Sequence, residues 1–198
     1  MHEWIGPEGL VLEGPQHVTE TLAFRVWFGK SKTVSRSGKP QRMYHATKAD
    51  FDTFDVTEDI GFHFGSWITA NNLINYRLEF DGSPDTAPEG ANIRPVYLRA
   101  ENPLRLADLG TWGSGDVAVA LRAAGVVTTT QAAKLIEFAD QAAVMGALAK
   151  KGYDSIVYKN ETEGGGDSYI VFSPEQVRSA FGNGPSARWS RAQGGPWC

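Results

Sequence analysis

The chain has 198 residues, 41% of them hydrophobic and 21% charged, with a formal net charge of −4. This is long enough for one domain with a real core, and its acidic balance argues against a nucleic-acid binder that works by neutralising phosphates. A single cysteine, Cys198, excludes a disulfide framework and any CxxC metal pair, and fits a reducing compartment.

Residues 1–18 contain Gly6, Pro7, Gly9, Gly14 and Pro15 and read as an irregular lead-in. Met1-His2-Glu3-Trp4 lacks the basic and apolar regions of a signal peptide, and no apolar run approaches the ~18 residues of a membrane helix. The chain is therefore expected to be cytoplasmic, with no membrane partner. Thr19 or Thr21 is positioned to cap a short helix through Leu22, Phe24, Trp27 and Phe28, ended by Gly29. A polar loop from Ser31 to Pro40 follows, and its basic run of Lys30, Lys32, Arg36, Lys39 and Arg42 reads as a solvated surface.

Gln41 to Ala46 is predicted to be a strand. Phe51, Phe54 and Val56 lie among aspartates and predict a loop pinned by aromatic side chains. Phe62-His63-Phe64 is a short, mostly buried strand, and a helix over Trp67 to Ile74 starts behind Ser66, a good N-cap. Asp81 to Pro88 is a surface loop. Arg94 to Arg99 alternates around Val96 and Leu98 as a strand closed by Asn102-Pro103.

Two helices are predicted next. The first spans about Asp116 to Ala124 and stops at Gly125. The second is one long helix from Gln131 to Lys151, with Leu135, Phe138, Ala142, Met145 and Ala149 as a core-facing stripe. Ser155 to Tyr158 and Ser168 to Phe172 are the last strands, joined through Gly164-Gly165-Gly166. The Gly-, Pro- and Ser-rich end reads as a mobile tail. The order is mixed α+β.

Few residues announce chemistry. His45 and His63 sit in apolar strand contexts, and no third ligand at zinc spacing accompanies them. The chain has no GxSxG elbow, no internal cysteine nucleophile, and no lysine after the glycine triplet to make a phosphate loop.

Several blocks taken in order carry a resemblance. They are Phe24-Arg25-Val26-Trp27-Phe28-Gly29, Tyr44-His45-Ala46-Thr47 with Asp50-Phe51 and Phe54-Asp55, and Phe62-His63-Phe64-Gly65. Val96-Tyr97-Leu98 with Asn102-Pro103-Leu104, Gly152-Tyr153-Asp154-Ser155-Ile156, and Tyr169-Ile170-Val171-Phe172-Ser173-Pro174-Glu175-Gln176 complete the set. The chain resembles the ADP-ribosyltransferase domain of phage polyvalent proteins over residues 24–184. Residues 1–23 form the lead-in and 185–198 the tail.

That resemblance implies a split antiparallel β-sheet core with surrounding helices, gripping NAD+ as substrate. It also implies an activity, mono-ADP-ribosyl transfer to a macromolecular acceptor with release of nicotinamide. The acceptor is expected to be a protein, with nucleic acid left open. An NAD glycohydrolase toxin, or a degenerate binding or phage-structural module, are the alternatives.

Residue by residue, the resemblance gives His45 a ribose hydroxyl, and gives the backbone of Ala46, beside Thr47, the carboxamide. His63 falls where relatives place a tyrosine against the ring, with Phe64 beside it. Ser168 stands where the polymerase-like relatives place their glutamate. A hydroxyl brings no negative charge, so the carboxylate must come from elsewhere. Strand alternation turns Asp167 away from the Ser168 face, and the glycine triplet gives the preceding loop freedom to fold back. The phage-type relatives resemble this chain at Asn160 and Glu163, so the resemblance makes Glu163 the leading catalytic acid; Glu161 and Asp167 stand behind it, and Glu175 follows the strand. Glu161-Thr162-Glu163 also has the spacing of the paired-glutamate loop in arginine-specific relatives, several residues early. Tyr44, Trp67 and Tyr76 are further candidates for the pocket wall.

Overall fold

A computed structural model describes residues 18–47, 60–80 and 91–181 of the chain. Residues 1–17 of the expected lead-in, the aromatic-pinned loop around Phe51, the Asp81–Pro88 loop, the tail and the Tyr76 side chain lie outside the described residues. The end of the lead-in is a 3-10 turn, Val18–Glu20, running into the first helix.

The described elements are α+β. Helix α1 (Leu22–Phe28) is capped by Thr21, whose side chain accepts from the Phe24 N–H, and closed by Gly29. Strands β1 (Met43–Thr47) and β2 (Phe62–Phe64) precede helix α2 (Trp67–Phe80). Then come β3 (Asn92–Leu98) and β4 (Pro103–Leu106), and helices α3 (Ser114–Ala123), α4 (Thr129–Phe138) and α5 (Gln141–Lys150). Strands β5 (Ser155–Asn160), β6 (Gly166–Val171) and β7 (Val177–Ser179) close the order.

The strands form two sheets, one of order β1-β3-β7 and one of order β2-β6-β5-β4. The split core is as expected, and all pairs but one are antiparallel; β4 and β5 run parallel. Sequence reading closed a strand at Asn102-Pro103 and missed β4, which is only four residues long. Its pattern is too short to register as alternation.

The predicted helix over 131–151 is two helices. Ala139 takes a left-handed conformation with φ 47°, and Asp140 then accepts from the N–H groups of Ala142 and Ala143. An aspartate in mid-helix competes for backbone donors, and here it starts a new N-terminus. The predicted core stripe shifts accordingly. Phe138 is 70% exposed, and Ala132, Val144 and Leu148 are the residues buried.

Period-2 alternation in β5 and β6 divides the interior. Ile156, Tyr158 and Ile170 face α3–α5 with Leu104, Trp112, Val117, Leu121, Val144 and Leu148. Val157, Tyr169 and Val171 face the other sheet, meeting Met43, Phe64, Val96 and Leu98. Burying side chains of this size contributes about 1.5–3 kcal/mol each. Helix α1 packs Phe24, Trp27 and Phe28 onto Tyr97 and Ala180, and the Trp27 indole donates to the Glu175 carbonyl. The buried Gln176 amide staples the sheets together, donating to the carbonyls of Arg99 and Asp154.

Candidate active site

The two sheets meet edge to edge where β1 passes β2. Tyr44 and Gly65 exchange both backbone hydrogen bonds, at 2.9 and 3.0 Å. A Cβ on Gly65 would run into the Thr69 side chain and press on Ser168 Oγ, so this approach needs glycine. One residue along, the His45 ring crosses the same seam. Its Nδ1 lies 2.8 Å from the His63 carbonyl. A carbonyl only accepts, so Nδ1 carries the proton and Nε2 keeps its lone pair. Burial pushes the pKa of each imidazole down to about 4, so both rings are neutral at pH 7. The half-buried His63 ring stands edge-on to Trp112 at 6.2 Å. Its Nε2 is inaccessible and has no hydrogen-bond partner among the described residues.

Strand β6 contributes Ser168 from the face it shares with Ile170, and the hydroxyl accepts from Asn160 Nδ2 at 3.2 Å. The turn between β5 and β6 then folds back over the strand ends. Asn160 Oδ1 accepts from the N–H groups of Glu163 and Gly164, at 2.8 and 3.1 Å. Its Nδ2 also donates to Glu163 Oε2 at 2.7 Å. From α2, Thr69 Oγ1 donates to the Gly164 carbonyl at 2.6 Å and Asn72 Nδ2 to the Glu163 carbonyl at 2.7 Å.

These elements enclose a cleft of about 400 Å³, lined by Tyr44, His45, Ala46, His63, Phe64, Asp108, Trp112, Tyr158, Asn160, Glu163 and Ser168 among others. Asp108 and Glu163 are the acids on this wall, and no lysine or arginine lines it among the described residues. With both imidazoles neutral, the cleft is negative at pH 7. Burial drives the Tyr158 hydroxyl well above its ordinary pKa, and the charges of Glu163 and Asp108 push it the same way. A cavity of this size, part apolar and part polar with convergent polar groups, is the form that small-molecule sites take.

The chain matches the family model for ADP-ribosyltransferases in polyvalent proteins over residues 35–187, well over half its length. It belongs to that family. No curated protein matches it. One solved structure, described as an anti-CRISPR protein, is similar at 12% identity with a TM-score of 0.25, over 69% of this chain and 93% of that one. That score is too low to inform the fold of this ADP-ribosyltransferase family member.

Of the residues singled out from sequence, His45, Ala46, His63, Phe64, Ser168 and Glu163 come together at the one cleft. Thr47 is buried at the end of β1 and is not among the lining residues. Tyr44 lines the cleft, whereas Trp67 is 54% exposed and stacks edge-on against it. Asp167 points outward to pair with Arg105 across β4–β6, at 2.6 Å, as strand alternation requires. The Glu161 side chain is exposed, and Glu175 lies on the 3-10 turn Pro174–Gln176, bonded to Ser173. Sequence reading missed Asp108, Trp112, Tyr158 and Thr69. The stretch around Asp108 and Trp112 is a glycine-punctuated loop with no periodicity, so nothing local marks it. Tyr158 was legible only as a strand residue.

Proposed function

We propose that this chain transfers ADP-ribose from NAD+ to a macromolecular acceptor with release of nicotinamide, acting in the cytoplasm of a host or target cell. The observation that carries this reading is the Glu163 carboxylate, held by Asn160 at the same cleft as His45, His63 and Ser168. The substrate supplies a positively charged ring whose bond to ribose breaks toward the ring. The acceptor then bonds to the same ribose carbon and gives up a proton.

The chain's own residues supply three things. His45 stands at the cleft as a neutral imidazole whose one N–H is given to the His63 carbonyl, so toward a ribose hydroxyl its ring acts as an acceptor, a narrower role than donor and acceptor together. Trp112, Tyr44 and Phe64 give the cleft flat apolar surfaces, and His63 adds a half-buried neutral imidazole to its wall. Glu163 offers a fixed negative charge to the positive charge that develops on the ribose. A preorganised group of this kind is worth about 10²–10³ in rate. The negative wall also suits a cationic ring more than the substrate's phosphates.

Incubation with adenylate-labelled NAD+ and mixed protein and nucleic-acid acceptors tests the reading. Labelled macromolecule appearing with nicotinamide, in matching amounts, is the expected result. Steady nicotinamide with no labelled macromolecule makes water the acceptor and the chain a glycohydrolase. An absence of NAD+ binding by calorimetry rejects the enzyme.

A further inference from the structure

We propose that Asp108 is a positioning residue, which fixes the Glu161–Thr162 turn so that the Glu163 carboxylate faces the cleft; this rests on the reading of Glu163 above. Gly164, Gly165 and Gly166 all have positive φ, at 76°, 90° and 105°. A segment with that much freedom costs conformational entropy to order. On its C-terminal side the turn is held from α2 by Thr69 and Asn72, and at its middle by Asn160. The N-terminal side is held by Asp108 alone among the described residues. Its Oδ2 accepts from the N–H groups of Glu161 and Thr162, at 2.8 and 3.2 Å, and from Thr162 Oγ1 at 3.3 Å. Oδ1 accepts from Gly110 N at 3.0 Å, which anchors Asp108 in its own loop.

Both carboxylate oxygens are thus engaged by the backbone. Burial favours the neutral acid, yet these donors hold its pKa below the ordinary carboxylate value, so it works as an anion. Hydrogen bonds to an ionised acceptor are about twice as strong as neutral ones. The bonds tie the loop after β4 to the loop after β5, across two neighbouring parallel strands. Glu161 and Thr162 are exposed, so losing these bonds frees the turn without opening the core. The effect is on where Glu163 stands, and misplacing a reacting group by ~1 Å costs up to ~10²-fold.

The test compares D108N, D108A, E163Q and the double variant D108N/E163Q in nicotinamide release, with amide hydrogen exchange on wild type and D108N. Asn turns an NH2 toward backbone donors, and Ala removes the acceptor without adding a donor, so the two fail differently if folding is the problem. Each is assayed where far-UV CD shows it folded. Expected for D108N are a kcat lower by ~10- to 100-fold, a KM for NAD+ within about threefold, and faster exchange at Glu161, Thr162 and Gly164. The double variant should be no slower than E163Q, because Asp108 acts through Glu163. Wild-type kcat in both Asp108 variants overturns the proposal, as does the same loss of rate from D108N in the E163Q background. Full activity in E163Q rejects the Glu163 reading instead, and exchange then decides alone: unchanged amide protection in D108N overturns the anchoring.

Discussion

Asn160 and Glu163 are bonded to each other twice, main chain to side chain and side chain to side chain, with Glu163 N to Asn160 Oδ1 at 2.8 Å and Asn160 Nδ2 to Glu163 Oε2 at 2.7 Å. One buried amide therefore sets both the turn and the direction of the acid. Glu163→Gln keeps the shape and removes the charge, and is expected to lower nicotinamide release by ~10²–10³ with NAD+ affinity nearly unchanged. Asn160→Ala leaves two turn N–H groups without their acceptor and is expected to cost about 1–3 kcal/mol of stability, with a rate loss of ~10-fold or more. Steady-state kinetics, calorimetry and urea melts read these apart. Wild-type rates in both variants would remove Glu163 from the site.

Asp167 makes a contrasting case four residues on. Its ion pair with Arg105 is solvent-facing, with side chains 41% and 58% exposed. Such pairs contribute ~0–1 kcal/mol. Asp167→Ala and Arg105→Ala are each expected to leave nicotinamide release within about twofold of wild type and to shift the urea midpoint little. A large loss of activity in Asp167→Ala alone would make it a competitor to Glu163.

The two neutral histidines predict an acid-sensitive fold. Each has a pKa depressed to about 4 against an ordinary value of 6.5, so between those values the unfolded chain binds more protons. Their contribution is complete above pH 6.5 and is lost as pH falls toward 4, by up to ~3 kcal/mol each and less than twice that together. Urea unfolding at pH 7.5, 6 and 5 should show this loss, and His63→Gln should flatten the slope. Identical slopes in wild type and variant would mean that His63 takes up its proton equally in the folded and unfolded chain, with no depressed pKa.

Gly165 separates backbone strain from crowding. Gly164, Gly165 and Gly166 all have positive φ, but a Cβ meets a neighbour only at Gly165, where it collides with Ser66 Oγ and crowds Thr69. Replacing glycine by alanine at positive φ costs ~1 kcal/mol or more. Gly165→Ala should therefore be clearly worse than Gly164→Ala in thermal melting, and worse again in rate because the turn carries Glu163. Equal effects would place the strain in the backbone alone.

Residues with a local signature were legible in the sequence. Thr21, Ser66 and Gly29 marked helix ends because capping is chemistry within a few residues. The Asp167 and Ser168 faces followed from strand period alone. What could not be read was whatever depends on a distant partner. Glu163 is favoured by the resemblance it shares with Asn160, yet its turn is also held by Thr69, Asn72 and Asp108 from other elements, with the bonded Thr69 and Gly164 95 residues apart. Asp140 shows the reverse failure. Its capping ability was visible, and the hydrophobic stripe drawn across it concealed the break.

The chain order of the strands bears on when this site comes into being. The sheets interleave along the chain, with β1, β3 and β7 in one and β2, β4, β5 and β6 in the other. Neither sheet can be finished while the chain is half made. Such non-local pairing is the slow, high-contact-order kind. His63 has its strand neighbour Ile170 only when β6 arrives, more than a hundred residues later. During synthesis the histidines thus leave the ribosome long before Glu163, and the cleft they line together is not complete until the strand that follows Glu163 has been made.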